Sequence, residues 1–234
     1  MATPQAAAQQ RSTNGGSALA ETVLTRTEHG RGYFYPPTAS GVPLGLIGFA
    51  SSLALLSMGN AEWFNVGALI IVAPAAMGFG AVALILAGIW DFWGGNAFAA
   101  TWEVSYGCFW LFLGLQLAIF GPRVVAAAGA PAASDAFGAY LLVWAVITAG
   151  FTAGTYFVAR PAFLAFALLT VIFVILGVSN MIAPGNTADS LRNIGGWLGI
   201  VDALLAFYVA FAVMMNTLVG RPVLPLWAYP YKAS

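Results

Sequence analysis

Charge is what this sequence has least of. Among its 234 residues 7% are Asp, Glu, Lys or Arg and 61% are hydrophobic, where ordinary soluble domains are about 25% charged. A soluble core of this size could not hide so much apolar surface. Most of it must face something other than water, and lipid is the simple answer. Eight basic and eight acidic residues cancel, so no basic stripe can hold phosphates and nucleic acid is excluded as a partner. One cysteine, Cys108, excludes an internal disulfide framework and a cysteine metal cluster. The one histidine, His29, stands in a polar N-terminal stretch. A hydrolytic centre built on a His base, or a His-rich zinc site, therefore has almost nothing to work with. A Gly-x-x-x-x-Gly-Lys-Ser/Thr phosphate loop is also missing. No metal, no cofactor and no enzyme activity is expected.

What is there divides into three stretches. Residues 1–39 are rich in Gln, Ser, Thr, Gly and Ala; they cannot bury enough apolar area to offset their ordering entropy and are expected to be a disordered tail. No apolar run occupies the first thirty residues, so a secretory signal is not expected. Over 40–219 long apolar runs alternate with short polar punctuation, and 220–234 form a short C-terminal tail. A spanning helix needs about 20 mostly apolar residues. Such runs occur at about 42–58, 66–90, 101–121, 137–158, 161–182 and 194–217. Each must be helical, because lipid offers no partner to a free backbone group and the alternation of a closed barrel is absent. Breaks are expected at Asn60-Ala61-Glu62, Gly94-Gly95-Asn96, Gly121-Pro122-Arg123, Arg160-Pro161 and Pro184-Gly185-Asn186, which carry turn or cap chemistry. The fold class is thus an all-α, multi-pass integral membrane protein of six transmembrane helices.

Basic residues set the orientation. Arg11, Arg26, Arg31, Arg160, Arg221 and Lys232 fall on the side of the termini, Arg123 and Arg192 on the other. That asymmetry predicts both termini in the cytoplasm. The loops are too short for an extramembrane catalytic domain, so function must reside inside the bilayer. Most of the 27 glycines are expected to serve close helix packing.

Three blocks are more specific. Pro43-Leu44-Gly45-Leu46-Ile47-Gly48-Phe49 resembles the signature that opens the first helix of the acetate uptake transporter family. Ala87-Gly88-Ile89-Trp90-Asp91-Phe92, Gly95-Asn96-Ala97-Phe98, Thr101 and Ser105-Tyr106-Gly107-Cys108-Phe109-Trp110 resemble its second block. Gly196-Trp197-Leu198-Gly199 and Gly220-Arg221-Pro222-Val223-Leu224-Pro225 resemble its last helix and tail. The resemblance covers residues 40 to about 226. Ser40-Gly41 stand where the family has Asn-Pro, Leu84 where bacterial members tend to have glutamine, and Glu103 where they are apolar. The family implies a six-helix protomer with its own pore, assembled into a homo-oligomer, a hexamer. It also implies a narrow apolar waist, carried onto Phe49, Tyr106 and Leu169. Such a waist suits a small carboxylate with a methyl end, since hydrophobic constrictions can gate by dewetting.

Charge inside a span is costly enough to raise a functional hypothesis by default. Glu103 lies three residues before Tyr106, on the same helix face; it is either a proton-coupling group beside the pore or a solvated group near the loop. Asp202 is a second candidate for proton coupling, or else a structural group paired with Arg192 or with helix backbone. Asp91 is read as organising the Gly95-Asn96 turn. Asn96 can cap the third helix, whose start then favours an anion. Thr101 and Ser105 could extend that polar path, or bond back to their own helix. What the resemblance implies is transport of small monocarboxylates, acetate preferred and succinate possible, as an anion channel or proton-coupled symporter in the plasma membrane. Ammonia or ammonium transport, and a membrane sensor that transports nothing, are the alternatives.

Overall fold

An apolar run in lipid has one economical way to pair its backbone, and the computed structural model, which describes residues 39–228, contains six such helices. They are α1 (Val42–Asn60), α2 (Gly67–Trp93), α3 (Ala97–Ala128), α4 (Ala130–Thr155), α5 (Arg160–Met181) and α6 (Asn186–Val219). All six expected spans are present. The tail expected over 1–39 lies, but for Ala39, outside the described residues. Among the described residues there is no strand, only one isolated bridge between Ala159 and Ala228.

The helix ends differ from those expected, for physical reasons. Gly121-Pro122-Arg123 does not end α3. A looser π segment, Gln116–Phe120, precedes it and places Pro122 in the first turn of the next stretch, where a missing N–H costs little. The stop comes at Gly129, whose φ of 84° no other residue adopts easily. The sixth helix starts at Asn186, because its polar first two turns stay helical beyond the apolar run. In α2, Pro74 is followed by a second π segment, Ala76–Ala81.

Small residues set the packing. α1 lies against α2 and α6, α2 against α3, α4 against α5, and α5 against α6. A Cβ on Gly88 of α2 would lie 2.9 Å from the Ala100 carbonyl of α3, and one on Gly138 of α4 would lie 2.7 Å from the Gly177 carbonyl of α5. Rings rather than close backbones join α3 to α4 and α5. Phe109 stacks parallel to Tyr140 at 6.1 Å and meets Trp144 at 5.0 Å and Phe173 at 5.3 Å.

The start of α1, the α2–α3 and α4–α5 turns and the C-terminal segment share one face. There the Asp91 carboxylate accepts the Gly41 N–H at 2.8 Å and the Ser40 hydroxyl at 3.4 Å. Its side chain thus ties the end of α2 to the start of α1, while its main-chain carbonyl accepts the Asn96 N–H at 2.9 Å and holds the Gly95-Asn96 turn. Beyond Gly220, whose φ is 71°, the chain turns back. Asn216 Oδ1 accepts the N–H groups of Val223 at 2.7 Å and Leu224 at 2.9 Å, and its Nδ2 donates to the Leu224 carbonyl at 2.8 Å. The Tyr208 hydroxyl donates to the Pro225 carbonyl at 2.6 Å. We predict that Asn216→Ala loosens this return by about 1 kcal/mol or more. Amide exchange at Val223 and Leu224 should then rise by roughly tenfold; unchanged exchange at both would show that Asn216 does not hold the return.

Candidate functional site

The site grows from one stripe on each of four helices. Leu46, Phe49 and Leu53 of α1, at three- and four-residue spacing, face inward and are buried. Trp102, Tyr106, Phe109 and Leu113 of α3 do the same, as do Phe166, Leu169 and Phe173 of α5. Asp202, Ala206 and Val209 come from α6.

These stripes enclose three cavities in series. At the middle is a constriction of about 20 Å³, lined by Phe49, Tyr106, Leu169, Asp202, Trp102 and Phe166 among others. That is room for about one water. Phe49 and Leu169 also line a cavity of about 220 Å³ that reaches Asn60, Asn180 and Arg192. Leu46, Trp102 and Ala206 also line a third, of about 240 Å³, that reaches Asn96, Ala159 and the C-terminal Leu226 and Ala228. Shared walls set the three cavities side by side, from the Arg192 end to the face of the C-terminal segment. Most of the lining is hydrocarbon, with polar groups at the two ends and Asp202 at the centre.

Phe49, Tyr106 and Leu169 therefore stand together at the narrowest point. The Tyr106 ring is 1% exposed. It meets Phe49 edge-on at 5.3 Å, Trp144 at 5.4 Å, and Phe151 and Phe166 both at 6.0 Å. Its hydroxyl is turned to α4, 2.7 Å from the Thr148 hydroxyl. The ring thus lines the constriction while its polar end is engaged elsewhere. We predict that Tyr106→Phe leaves the passage unchanged but costs about 1 kcal/mol by stranding the buried Thr148 hydroxyl. Melting of the purified protein should fall by a few degrees with the size cut-off for solutes kept; a shifted cut-off would mean that the hydroxyl itself touches the passing molecule.

The other sequence candidates separate. Asn96 caps α3 as expected, its Oδ1 accepting the Ala99 N–H at 3.2 Å, and it also lines the third cavity. Thr101 and Ser105 line none of the three cavities. Their hydroxyls donate to the carbonyls of Ala97 and Thr101, both at 2.6 Å, and so bond back to α3. Glu103 is completely buried, so it is not the solvated group near the loop, yet it lines none of these three cavities either. Its carboxyl is turned toward α1 and α2; a Cβ on Gly45 would lie 2.8 Å from Glu103 Oε1, and Asp91 is its acidic neighbour. Asp202 does line the constriction. Arg192 is not its partner, being bonded to Glu62 at 3.3 Å and Asp189 at 3.1 Å.

Sequence reasoning did not single out Trp102 and Phe166 at the constriction, nor Thr148 behind Tyr106. Trp102 was within reach of a pattern argument, since it precedes Tyr106 by one helical turn. The polar rim of Asn60, Asn180 and Arg192 gave no such signal, because three different chain segments bring it together. Among the described residues no cluster of His, Cys, Asp and Glu could hold a metal ion.

The sequence profile of the GPR1/FUN34/yaaH family matches residues 31–227. The succinate-acetate/proton symporter SatP of Escherichia coli K12 is 36% identical over 190 residues, which are 80% of this chain and 95% of that protein. Ammonia transport outward protein 2 of Saccharomyces cerevisiae is 34% identical over 175 residues, 74% of this chain and 61% of its own length. Among solved structures, that of the bacterial acetate channel SatP superposes with a TM-score of 0.71 at 32% identity, covering 81% of this chain and 99% of that one.

Proposed function

The chain belongs to the GPR1/FUN34/yaaH family, and we propose that it carries small monocarboxylates, acetate first and succinate second, across a membrane. The observation that carries this reading is the meeting of Phe49, Tyr106 and Leu169 at a constriction of about 20 Å³ that shares walls with a wider cavity on each side. A carboxylate approaching from the Arg192 end meets amides and a guanidinium first. It must then shed water to pass the rings. The apolar methyl of acetate loses little there, and the short passage limits the time the charged end goes unhydrated. Asn96 and the start of α3 receive it on the other side, where free N–H groups and the helix dipole favour an anion. Thr101 and Ser105 would lend that path backbone support rather than contact.

The excess of arginine and lysine on the face of the termini supports a cytoplasmic location for both. A plasma-membrane location follows as part of the same proposal. Gln116–Ala128 of α3 has no buried residue within this chain. It needs lipid or a second copy to cover it, which fits assembly into a ring of six. A second reading is ammonium movement, favoured by the acidic Asp202 at the constriction and by the yeast relative named for outward ammonia transport.

Uptake of labelled acetate into proteoliposomes, with and without an inward proton gradient and corrected for protein-free vesicles, tests the proposal. Saturable uptake blocked by unlabelled acetate is expected. Absence of acetate flux, in vesicles where ammonium does change the internal pH, would replace the carboxylate by ammonium.

A further inference from the structure

We infer that Asp202 is the proton-carrying group of the constriction, so that a carboxylate crosses it only together with one proton. The inference rests on the transport reading above. Asp202 is 1% exposed, lines the narrowest cavity, and has no hydrogen-bond partner on either carboxyl oxygen among the described residues. Buried acids are ordinarily paired or hydrogen-bonded, and an ionisable side chain within a membrane span marks a pathway more often than a packing contact. This carboxyl has no structural work to do, and it stands where the permeating molecule must go.

Its surroundings leave the substrate as the available partner. Around the cavity it shares with them, α1 and α5 place only Ala, Leu and Phe side chains, and α6 adds Ala206. α3 brings Trp102 and Tyr106. Tyr106 is the titratable side chain within electrostatic reach, but its hydroxyl is engaged with Thr148. The other buried acids, Glu103 and Asp91, lie off the cavity lining, and the cation on the same helix, Arg192, is bonded to Glu62 and Asp189. A carboxylate ion and an ionised Asp202 would therefore share a space for about one water with no cation beside them. Repulsion and lost hydration both oppose that state. With one proton between them, the two groups form a charge-assisted O–H···O⁻ hydrogen bond instead.

The cycle balances as follows. Protonated Asp202 meets a carboxylate ion; the Asp202 O–H bond breaks, an O–H bond forms on the substrate, and the neutral acid moves on. Asp202, now the anion, takes a proton from water in the cavity on the side from which the substrate came. The acid dissociates in the far cavity. One carboxylate and one proton have crossed, and no net charge has moved.

The test compares wild type, Asp202→Asn and Asp202→Glu in proteoliposomes, measuring labelled-acetate uptake against an imposed pH difference and, separately, against a valinomycin–potassium potential. Protein-free vesicles supply the correction for acetic acid that crosses lipid. Wild-type uptake should rise by up to about tenfold for a tenfold inward proton gradient, the limit for one proton per carboxylate, and should ignore the potential. Asp202→Asn should lose that proton dependence and become driven by the potential, while Asp202→Glu keeps the wild-type pattern. An Asn variant as proton-dependent and as indifferent to potential as wild type overturns the inference. Should the Asn variant fail to assemble, the wild type alone decides, because uptake driven by the potential and indifferent to the proton gradient is incompatible with the cycle. No acetate flux by wild type overturns the transport reading instead.

Discussion

Replacing Tyr106 by Ala should open the passage to carboxylates larger than acetate, raising their flux relative to acetate by at least about tenfold, or roughly 1.4 kcal/mol of barrier. The ring is the centre of the constriction: it is buried, it touches four other rings, and its lost volume lies beside a cavity that otherwise holds about one water. Phe49, Trp144, Phe151 and Phe166 are each fixed by further aromatic neighbours, so the surroundings can collapse only in part and most of the void remains. The same argument gives Phe49→Ala the same direction. A stability cost of about 3–5 kcal/mol is expected for a buried aromatic truncated to Ala, so folded protein must be selected before flux is measured. A series of straight-chain carboxylates in proteoliposomes is the measurement. If both variants keep the wild-type order of substrates, these two rings are packing and the path runs elsewhere.

The second large effect concerns the backbone. Gly196→Val should prevent the protein from folding, whereas Gly150→Ala should leave its melting temperature within about one degree, the scale of a neutral surface change. A Cβ on Gly196 would lie 2.7 Å from the Asn60 carbonyl carbon and 2.9 Å from the Ser57 carbonyl oxygen. Both belong to the backbone of α1, so neither can swing aside as a flexible side chain would. α6 would have to move away from α1, and that displacement runs through the wall that carries Asp202 and Ala206. Overpacking ordinarily costs about 1–3 kcal/mol and more where nothing yields. Around Gly150, by contrast, no heavy atom lies within 4 Å of an added Cβ. Comparing the yield and melting of the two purified variants decides it; a Gly196→Val protein melting like wild type would show that α1 and α6 part without loss.

The number and character of the helices were legible because lipid punishes an unpaired backbone so heavily that each apolar run has one solution. Their ends were not. Gly121-Pro122 reads as a terminator in water-soluble chains, yet a preceding π segment lets both residues enter the first turn of the next helical stretch and α3 continues. The polar start of α6 carries no hydropathy signal at all. At the site, Phe49 and Tyr106 could be found only through the motif blocks, since Phe and Tyr occur throughout the apolar runs. Leu169 depended on register along a helix with several equivalent leucines. Glu103 and Asp202 show what a single sequence withholds. Both were visible as charge within a span, but whether Glu103 is buried and which way each carboxyl turns depend on neighbouring helices. Glu103 turns toward the α1–α2 contact, Asp202 toward the constriction.

The last helix and the return of the chain after it have a mechanical side. With 34 residues α6 is a rod roughly 50 Å long, well beyond the roughly 30 Å of hydrocarbon it crosses. Asp202 lies along its length, and Tyr208 and Asn216 lie further on, gripping the segment whose Leu226 and Ala228 wall the far cavity. Waist and mouth are therefore mounted on one lever. A tilt or rotation of that rod would shift the acid at the constriction and the wall of the far cavity in the same stroke, so these two parts of the interior would not move independently.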